Sequence, residues 1–291
     1  MTSLTSLQPH VYLVGAGPGD PELLTFKAAK TIAAATVLLV DDLVSDAVLA
    51  HAAPTARIVH VGKRGGCQST PQAFIQKLMV QEALAGECVV RLKGGDPFIF
   101  GRGGEEVEYL QAHGVAVTVV NGITAGLAGV SSLGVSLTHR EHAHGVVFVT
   151  GHAKPGDGVD WVTLSRTAAQ AKLTLVIYMG IRGAEQLQAN LLQGLPADTP
   201  VALIHQVSLP DQCHAVCTLA TLHATVVSEG FASPTVIVVG DILKGLASVQ
   251  SDAFTDNLRN AKANSKACHP QDRPLAQLVI RSSCLLQKET T

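Results

Sequence analysis

Short runs of apolar residues alternate with amphipathic stretches along most of the chain. Several apolar runs are continuous, which is typical of strands buried on both faces of a parallel sheet. The pattern predicts strands at residues 11–14, 37–40, 57–61, 88–92, 115–120, 145–150, 173–178, 200–206 and 234–239. It predicts helices at residues 23–35, 71–85 and 105–113. This alternation indicates an α/β fold with mainly parallel or mixed sheets.

A glycine-rich segment, NGITAGLAG at residues 121–129, separates the first five predicted strands from the later ones. We expect it to lie at the boundary between two α/β domains, residues 8–121 and 122–246. Beyond residue 246 the apolar periodicity is lost and polar residues dominate. Residues 247–291 are therefore expected to form a mobile tail.

Composition excludes several classes of protein. Hydrophobic residues make up 47% of the 291 residues, enough to fill two cores, and the net charge of -2 argues against bulk electrostatic binding of nucleic acid. Neither a membrane span nor a signal peptide is expected, since no apolar run approaches about 20 residues and no basic leader precedes one. Cys213, His214 and Cys217 are too weakly patterned for zinc, so we expect reduced thiols in a cytoplasmic protein and no metal.

The segment GAGPGD, residues 15–20, joins a predicted strand to a predicted helix. It lacks the Lys-Ser/Thr pair of a phosphate-binding loop, and Asp20 stands where a dinucleotide fingerprint has its third glycine. Asp41 and Asp42 nevertheless end the second predicted strand, where a ribose-binding acid is expected. A nicotinamide-dependent oxidoreductase therefore stays open, as does a structural turn made rigid by Pro18 and capped by Asp20.

A longer motif, VRLKGGDPFIFGRGGEE, fills residues 90–106. Its glycines let the backbone approach a ligand closely. Its basic residues are Arg91, Lys93 and Arg102. Glu105 and Glu106 fall in the first turn of a predicted helix, where acids also suit the helix dipole without any functional role. The glycine density favours a ligand site.

These two motifs, with VDDLVSD, VGKRGG, GITAG, LTHR and YMG in order along the chain, resemble the tetrapyrrole methylase family, in particular its uroporphyrinogen-III C-methyltransferase branch. The resemblance covers roughly residues 8–246. It implies an S-adenosylmethionine (SAM) site in a cleft between two α/β domains. It implies methylation of uroporphyrinogen III at C2 and C7, giving precorrin-2 for sirohaem and/or cobalamin synthesis, and a homodimer. A methylase of a later corrinoid precursor is the alternative within the family.

The resemblance also implies roles for individual residues. Asp41 would accept a proton and Lys63 would donate one. SAM would contact Pro18, Gly94, Gly95, Asp96, Ile99, Thr124, Ala125 and Met179. The first glycine loop would shape the cleft near the substrate and SAM, and no metal is implied because the methyl group of SAM is already activated.

Uroporphyrinogen carries eight carboxylates, so its cleft must be basic although the chain is not. Residues 47–81 contain no Asp or Glu. That stretch carries Arg57, Lys63, Arg64 and Lys77. A second basic cluster, THREHAHG at residues 138–145, contains Arg140. Because arginine forks suit carboxylates, we expect Arg64 and Arg140 to bind the substrate from opposite domains.

The chain departs from the family pattern at a few positions. Asn121 and Ser136 stand where proline is usual, and HQVS at residues 205–208 replaces a turn resembling Asn-Gly-Thr. A backbone contact to adenine is expected at that turn, so a role for Val207 in SAM binding stays open. None of these departures removes a predicted catalytic residue.

Overall fold

The computed structural model describes residues 8–62, 70–152, 158–244 and 246. Within these residues, ten strands form two five-stranded sheets. No helix in these ranges combines the length and the apolar character needed to cross a membrane. Lys63, Arg64 and the expected tail of residues 247–291 lie outside the described residues.

The first sheet is parallel throughout its described strands, in the order β3-β2-β4-β1-β5. Its strands are β1 (His10–Gly15), β2 (Val37–Val40), β3 (Arg57–His60), β4 (Val89–Lys93) and β5 (Ala116–Val120). Its helices are α1 (Phe26–Ala34), α2 (Asp46–Leu49), α3 (Gln72–Leu84) and α4 (Gly103–Ala112). Helices α1 and α2 pack on one face, and α3 and α4 on the other. The continuous apolar run of β2 follows from this cover on both faces.

The second sheet is mixed, in the order β6-β7-β10-β8-β9. Its strands are β6 (Gly145–Thr150), β7 (Leu173–Tyr178), β8 (Pro200–His205), β9 (Cys213–Thr218) and β10 (Thr235–Val239). Among the described strands of this second sheet, β6 and β7 pair in parallel and the other neighbours pair antiparallel. Its helices are α5 (Ala125–Ser132), α6 (Trp161–Ala171), α7 (Ala184–Leu191) and α8 (Leu222–Ser228). Helix α5 covers one face, and α6, α7 and α8 cover the other.

The predicted α/β fold is confirmed, and each predicted strand is present within two residues of its expected ends. Strand β9 is the strand that the pattern missed, because its sequence CHAVCT has no long apolar side chain and is only partly buried. It pairs antiparallel with β8 at the sheet edge. Four residues along a strand separate Cys213 from Cys217 by roughly 13 Å, which is too far for one zinc ion.

The first helix begins later than predicted. Asp20 caps a short 3-10 helix at Pro21–Leu23 by accepting the N–H of Glu22 at 2.8 Å. Thr25 then caps α1, since its hydroxyl accepts the N–H of Ala28 at 3.1 Å. The glycine-rich segment at residues 121–129 is also partly helical, because α5 begins at Ala125.

Candidate active site between the two sheets

Three glycines pack together where β1, β4 and β5 end. A Cβ atom added to Gly15 would lie 2.6 Å from both the nitrogen of Gly122 and the oxygen of Gly95. One added to Gly122 would lie 2.2 Å from that same oxygen. Side chains are therefore excluded, and the glycine motifs serve a close approach of backbones at the carboxyl edge of the first sheet.

The backbone amides of the first glycine loop donate hydrogen bonds to acceptors within the protein. Ala16 donates to the carbonyl of Lys93 at 2.8 Å, and Gly17 and Gly95 exchange hydrogen bonds at 3.2 and 2.7 Å. Asp20 donates its N–H to the hydroxyl of Ser208 on the second sheet's side at 3.0 Å. A phosphate-binding loop aims these groups at its ligand, so this geometry disfavours the dinucleotide interpretation.

Asp96 fastens the second glycine motif in place. Its side chain is buried; Oδ1 accepts the N–H of Phe98 at 2.8 Å, and Oδ2 accepts the N–H of Gly122 at 3.0 Å. Oδ2 also accepts from the side-chain amide of Asn121 at 3.1 Å. Asn121, one of the departures from the family pattern, therefore supplies a hydrogen bond that proline could not.

Tyr178, at the end of β7, connects the second sheet with the glycine motifs. Its hydroxyl accepts the N–H of Gly126 at 2.7 Å and lies 2.6 Å from Oγ1 of Thr124. Its ring centroid lies 5.0 Å from that of Phe100. Burial raises the pKa of Tyr178, against the smaller lowering effect of these hydrogen bonds. A Cβ on Gly126 would lie 2.4 Å from the hydroxyl, so glycine is required there.

Asp41 lies at the same edge, in the loop that follows β2. Its Oδ1 accepts the N–H of Asp42 at 3.0 Å, and its Oδ2 lies 4.0 Å from a terminal nitrogen of the Arg91 guanidinium. The carboxylate is about one-third exposed, whereas Arg91 is buried. Asp41 therefore has one oxygen oriented by backbone and the other facing a buried cation, while its carboxylate remains open to a ligand.

Behind Arg91 lies a buried carboxylate, Glu106 of α4. Its Oε1 accepts from Nε of Arg91 at 3.3 Å, Nζ of Lys93 at 3.2 Å and Nε2 of Gln72 at 2.9 Å. Burial lowers the pKa of Lys93, as does the charge of Arg91, while Glu106 and Asp41 raise it. The helix-dipole interpretation therefore suits the exposed Glu105, which pairs with Arg102, but not Glu106.

The residues with predicted SAM contacts converge on this edge. Pro18 follows Gly17, which is hydrogen-bonded to Gly95. Gly94 lies against Leu43, and Gly95 lies beside the Cα of Thr124. Ile99 donates its N–H to the carbonyl of Asp96, Ala125 begins α5, and Met179 follows Tyr178 with φ of +56°. Their roles in binding SAM stay predictions.

Large apolar side chains remain exposed around this edge. They are Leu43, Phe98, Phe100 and Met179. Leu43 lies against Gly94, Phe100 against Tyr178, and the ring of Phe98 near Gly103. An exposed apolar rim beside a few convergent polar groups is typical of a small-molecule site.

Of the two residues predicted to bind substrate, Arg64 lies outside the described residues and Arg140 does not lie at this edge. Arg140 lies in an exposed turn closed by His139 and Ala143. That turn is tied to the start of β7, since Lys172 donates to the carbonyl of Glu141 at 3.0 Å. Met179 follows the other end of β7, roughly 17 Å away for a strand of this length.

Arg57 also lies away from this edge. It begins β3 and forms a two-pronged ion pair with Glu82. The carboxyl ends of the parallel strands form the candidate site, so Arg57 at an amino end does not face it. The absence of acids in residues 47–81 predicted a surface facing the substrate, and for Arg57 that prediction was wrong.

His139, Glu141 and His142 place one nitrogen or oxygen atom each within 4.8 Å of one another. Nδ1 of His139 accepts the N–H of Glu141 at 3.2 Å, so its Nε2 carries the proton in the neutral ring. A metal-ligating histidine instead donates through its second nitrogen. This exposed group therefore does not suit a metal ion.

Sequence reasoning missed the part played by Glu106. A signal for it was present in β4, where Arg91 and Lys93 are two residues apart and so lie on one face of the strand. Every residue of β4 is buried, and two buried cations on one face require an anion. The first acid of the following helix that faces the sheet supplies it.

The sequence model of the protein family Tetrapyrrole (Corrin/Porphyrin) Methylases matches residues 10–223. A uroporphyrinogen-III C-methyltransferase of Pseudomonas aeruginosa is 48% identical over 239 residues, covering 82% of this chain and 96% of that protein. A siroheme synthase of Nitrosomonas eutropha is 45% identical over 237 residues, and this match covers 81% of this chain but 49% of that protein. The structure of uroporphyrin-III C-methyl transferase from Thermus thermophilus complexed with S-adenyl homocysteine has a TM-score of 0.68 and 39% identity, covering 81% of this chain and 99% of that one. The chain belongs to the tetrapyrrole methylase family.

Proposed function

We propose that this chain is a SAM-dependent methyltransferase that methylates uroporphyrinogen III at C2 and C7, giving precorrin-2 for sirohaem and/or cobalamin synthesis. Relatives that it matches over most of their length carry the name uroporphyrinogen-III C-methyltransferase. The observation that carries the proposal is the convergence of Asp41, the two glycine motifs and Thr124 at one apolar-rimmed sheet edge.

When bound, SAM supplies an activated methyl group, so the transfer needs alignment and removal of a proton and no metal. We propose that SAM is held by Pro18, Gly94, Gly95, Asp96, Ile99, Thr124, Ala125 and Met179. The half-buried backbone of Gly94 and Gly95, with no Cβ in the way, fits a ligand that lies flat against the second glycine motif.

Asp41 is the proposed proton acceptor. Its carboxylate is oriented by the N–H of Asp42 and faces Arg91, yet stays partly exposed to a ligand. Lys63 is the proposed donor; it follows Gly62, which lies against the side chain of Asp42. Arg64 and Arg140 are proposed to bind carboxylates of the substrate.

We propose further that the chain acts as a homodimer in the cytoplasm. Arg140 lies at the opposite end of β7 from Met179. If Arg140 binds the substrate, the Arg140 that reaches a given site would therefore come from the other subunit of the dimer.

The test is an anaerobic assay in which the purified protein and SAM receive uroporphyrinogen III generated in situ, with products followed by mass and absorbance. A gain of two methyl groups, lost in Asp41→Asn, is expected. Tight binding of S-adenosylhomocysteine (SAH) without methylation would redirect the proposal to another tetrapyrrole. Binding of NAD instead of SAH would favour the oxidoreductase.

A further inference from the structure

Glu106 is a carboxylate fully removed from solvent. Its Oε1 accepts from Arg91, Lys93 and Gln72, whereas Oε2 is buried with no hydrogen-bond partner among the described residues. An unsatisfied buried oxygen is costly and rare in native proteins. The position of Glu106 therefore calls for a reason beyond packing.

Stability does not supply that reason. Removing a carboxylate and two cations from water carries a large desolvation cost for each ion, and apolar residues of similar volume often stabilise a fold as well or better. The first sheet already has apolar clusters on both faces. A purely structural position would not need this group of charges.

Arg91 shows what the buried carboxylate does. Its Nε donates to Glu106 at 3.3 Å, and Nη1 donates to the carbonyls of Leu39 and Leu92, each at 3.2 Å. The remaining nitrogen, Nη2, faces Oδ2 of Asp41 at 4.0 Å. Because the guanidinium is planar and rigid, fixing Nε and Nη1 also fixes the direction of Nη2.

We propose that Glu106 is a positioning residue for methyl transfer, acting on Asp41 through Arg91. This inference rests on the proposed function and on Asp41 as its proton acceptor. Glu106 holds the guanidinium in place and offsets the charges of Arg91 and Lys93. Asp41 thereby keeps a fixed orientation without facing an excess of buried positive charge.

The charged side chains around Asp41 in the described part of the chain are Asp42 on its own loop, Arg91 and Lys93 on β4, and Glu106 on α4. Glu106→Gln keeps the shape but leaves Arg91 and Lys93 without their shared anion. The guanidinium of Arg91, which stays charged, then favours the ionised carboxylate of Asp41 and makes it a weaker base.

The experiment compares wild type, Glu106→Gln and Glu108→Gln in the anaerobic assay. Glu108 is an exposed acid on the same helix, so its variant is the matched control for loss of charge. For Glu106→Gln we expect kcat to fall about 10- to 100-fold, the scale of a misplaced catalytic group, with KM for SAM and SAH affinity unchanged. We also expect the acidic limb of the kcat profile to move to lower pH, which a merely structural role would not cause.

Arg91→Lys is the second variant and keeps the inference testable if Glu106→Gln does not fold. Lysine retains the charge but lacks the fork that reaches Glu106 and Asp41 together, so a similar fall in kcat is expected. If wild type methylates and folded Glu106→Gln, or folded Arg91→Lys in its place, has the kcat of wild type, the positioning role is overturned and the proposed function stands. If wild type does not methylate, the proposed function fails and the inference fails with it.

Discussion

The backbone amide of Gly95 donates to the carbonyl of Gly17 at 2.7 Å, and the amide of Gly17 donates to the carbonyl of Gly95 at 3.2 Å. This pair joins the two glycine motifs and turns the first one away from phosphate binding. It also holds Gly95 in the left-handed region, with φ of +68°. The close packing of the two backbone segments thus fixes the shape of the surface on which SAM is proposed to lie.

Gly95→Ala tests whether that surface is the SAM site. The left-handed backbone makes alanine cost about 1–2 kcal/mol of unfolding free energy. The added methyl would lie 3.8 Å from the Cα of Thr124, between two proposed SAM contacts. We expect the Kd for SAH, measured by calorimetry, to rise about tenfold, equivalent to about 1.4 kcal/mol.

Gly114→Ala is the matched control. Gly114 has φ of +73° and open space where a Cβ would lie, so it carries the same backbone cost away from the site. Denaturant unfolding should show similar losses of stability in both variants. Equal SAH affinities in the two variants would remove Gly95 from the SAM site.

Much of the first sheet could be predicted from the sequence, because strands such as β1 and β2 are covered on both faces and are therefore rich in apolar residues. Strand β9 could not, since an edge strand with one neighbour tolerates Cys213, His214 and Thr218 without an apolar signature. Likewise the helix start at Phe26 depends on which of two capping residues, Asp20 or Thr25, begins the α-helix. That choice depends on tertiary contacts of the loop.

In the candidate site, too, some residues could be predicted from the sequence and others could not. The resemblance located Asp41 and the glycine motifs, because they form contiguous motifs. The partners that orient them were not predictable. Glu106 meets Arg91 only after α4 packs on the sheet, and Tyr178 meets Thr124, 54 residues away in the chain, only after α5 packs on β7. Charge counting along the sequence failed for Arg57 because Glu82, its partner, lies 25 residues away.

Tyr178→Phe tests the connection between β7 and α5. The N–H of Gly126 and the hydroxyl of Thr124 lose a buried partner, so unfolding free energy should fall by about 1–3 kcal/mol. SAH binding should weaken as well, since Thr124 is a proposed contact. Tyr109→Phe, on α4, removes a phenol outside this connection and should leave SAH affinity unchanged. Unaltered SAH affinity in Tyr178→Phe would show that Tyr178 does not support the SAM site.

The same residue predicts a pH dependence of stability. Burial raises the pKa of Tyr178 above its ordinary value of 10.0, so the folded state retains the phenol proton longer than the unfolded state. The contribution of Tyr178 is therefore complete below pH 10.0 and is lost as the pH rises through the folded pKa. Unfolding free energy should fall more steeply above pH 10.0 in wild type than in Tyr178→Phe, as measured by urea titration. Parallel slopes would contradict this.

Arg57→Gln and Arg64→Gln separate two residues that the sequence grouped together. Arg57 is engaged by Glu82 at the amino end of β3, so its loss should leave KM for the tetrapyrrole unchanged. Because Arg57 is half exposed, this surface ion pair should also contribute little to stability. Arg64→Gln should raise that KM and leave KM for SAM as it is. A higher tetrapyrrole KM in Arg57→Gln would mean that this arginine does reach the substrate.

A subunit-mixing experiment tests whether Arg140 acts across a dimer. Arg140 lies in a turn anchored at the start of β7, while Met179 follows the end of that strand. Asp41→Asn and Arg140→Glu are each expected to have little activity alone. If Arg140 serves the partner's site, a dimer containing one copy of each variant has one site with both residues intact. Random exchange of subunits places half of the protein in such mixed dimers, so the mixture should recover up to about one quarter of wild-type activity. If Arg140 instead serves its own chain, every site in the mixture lacks one residue and activity stays at the level of the separate variants, which would overturn the shared-site arrangement.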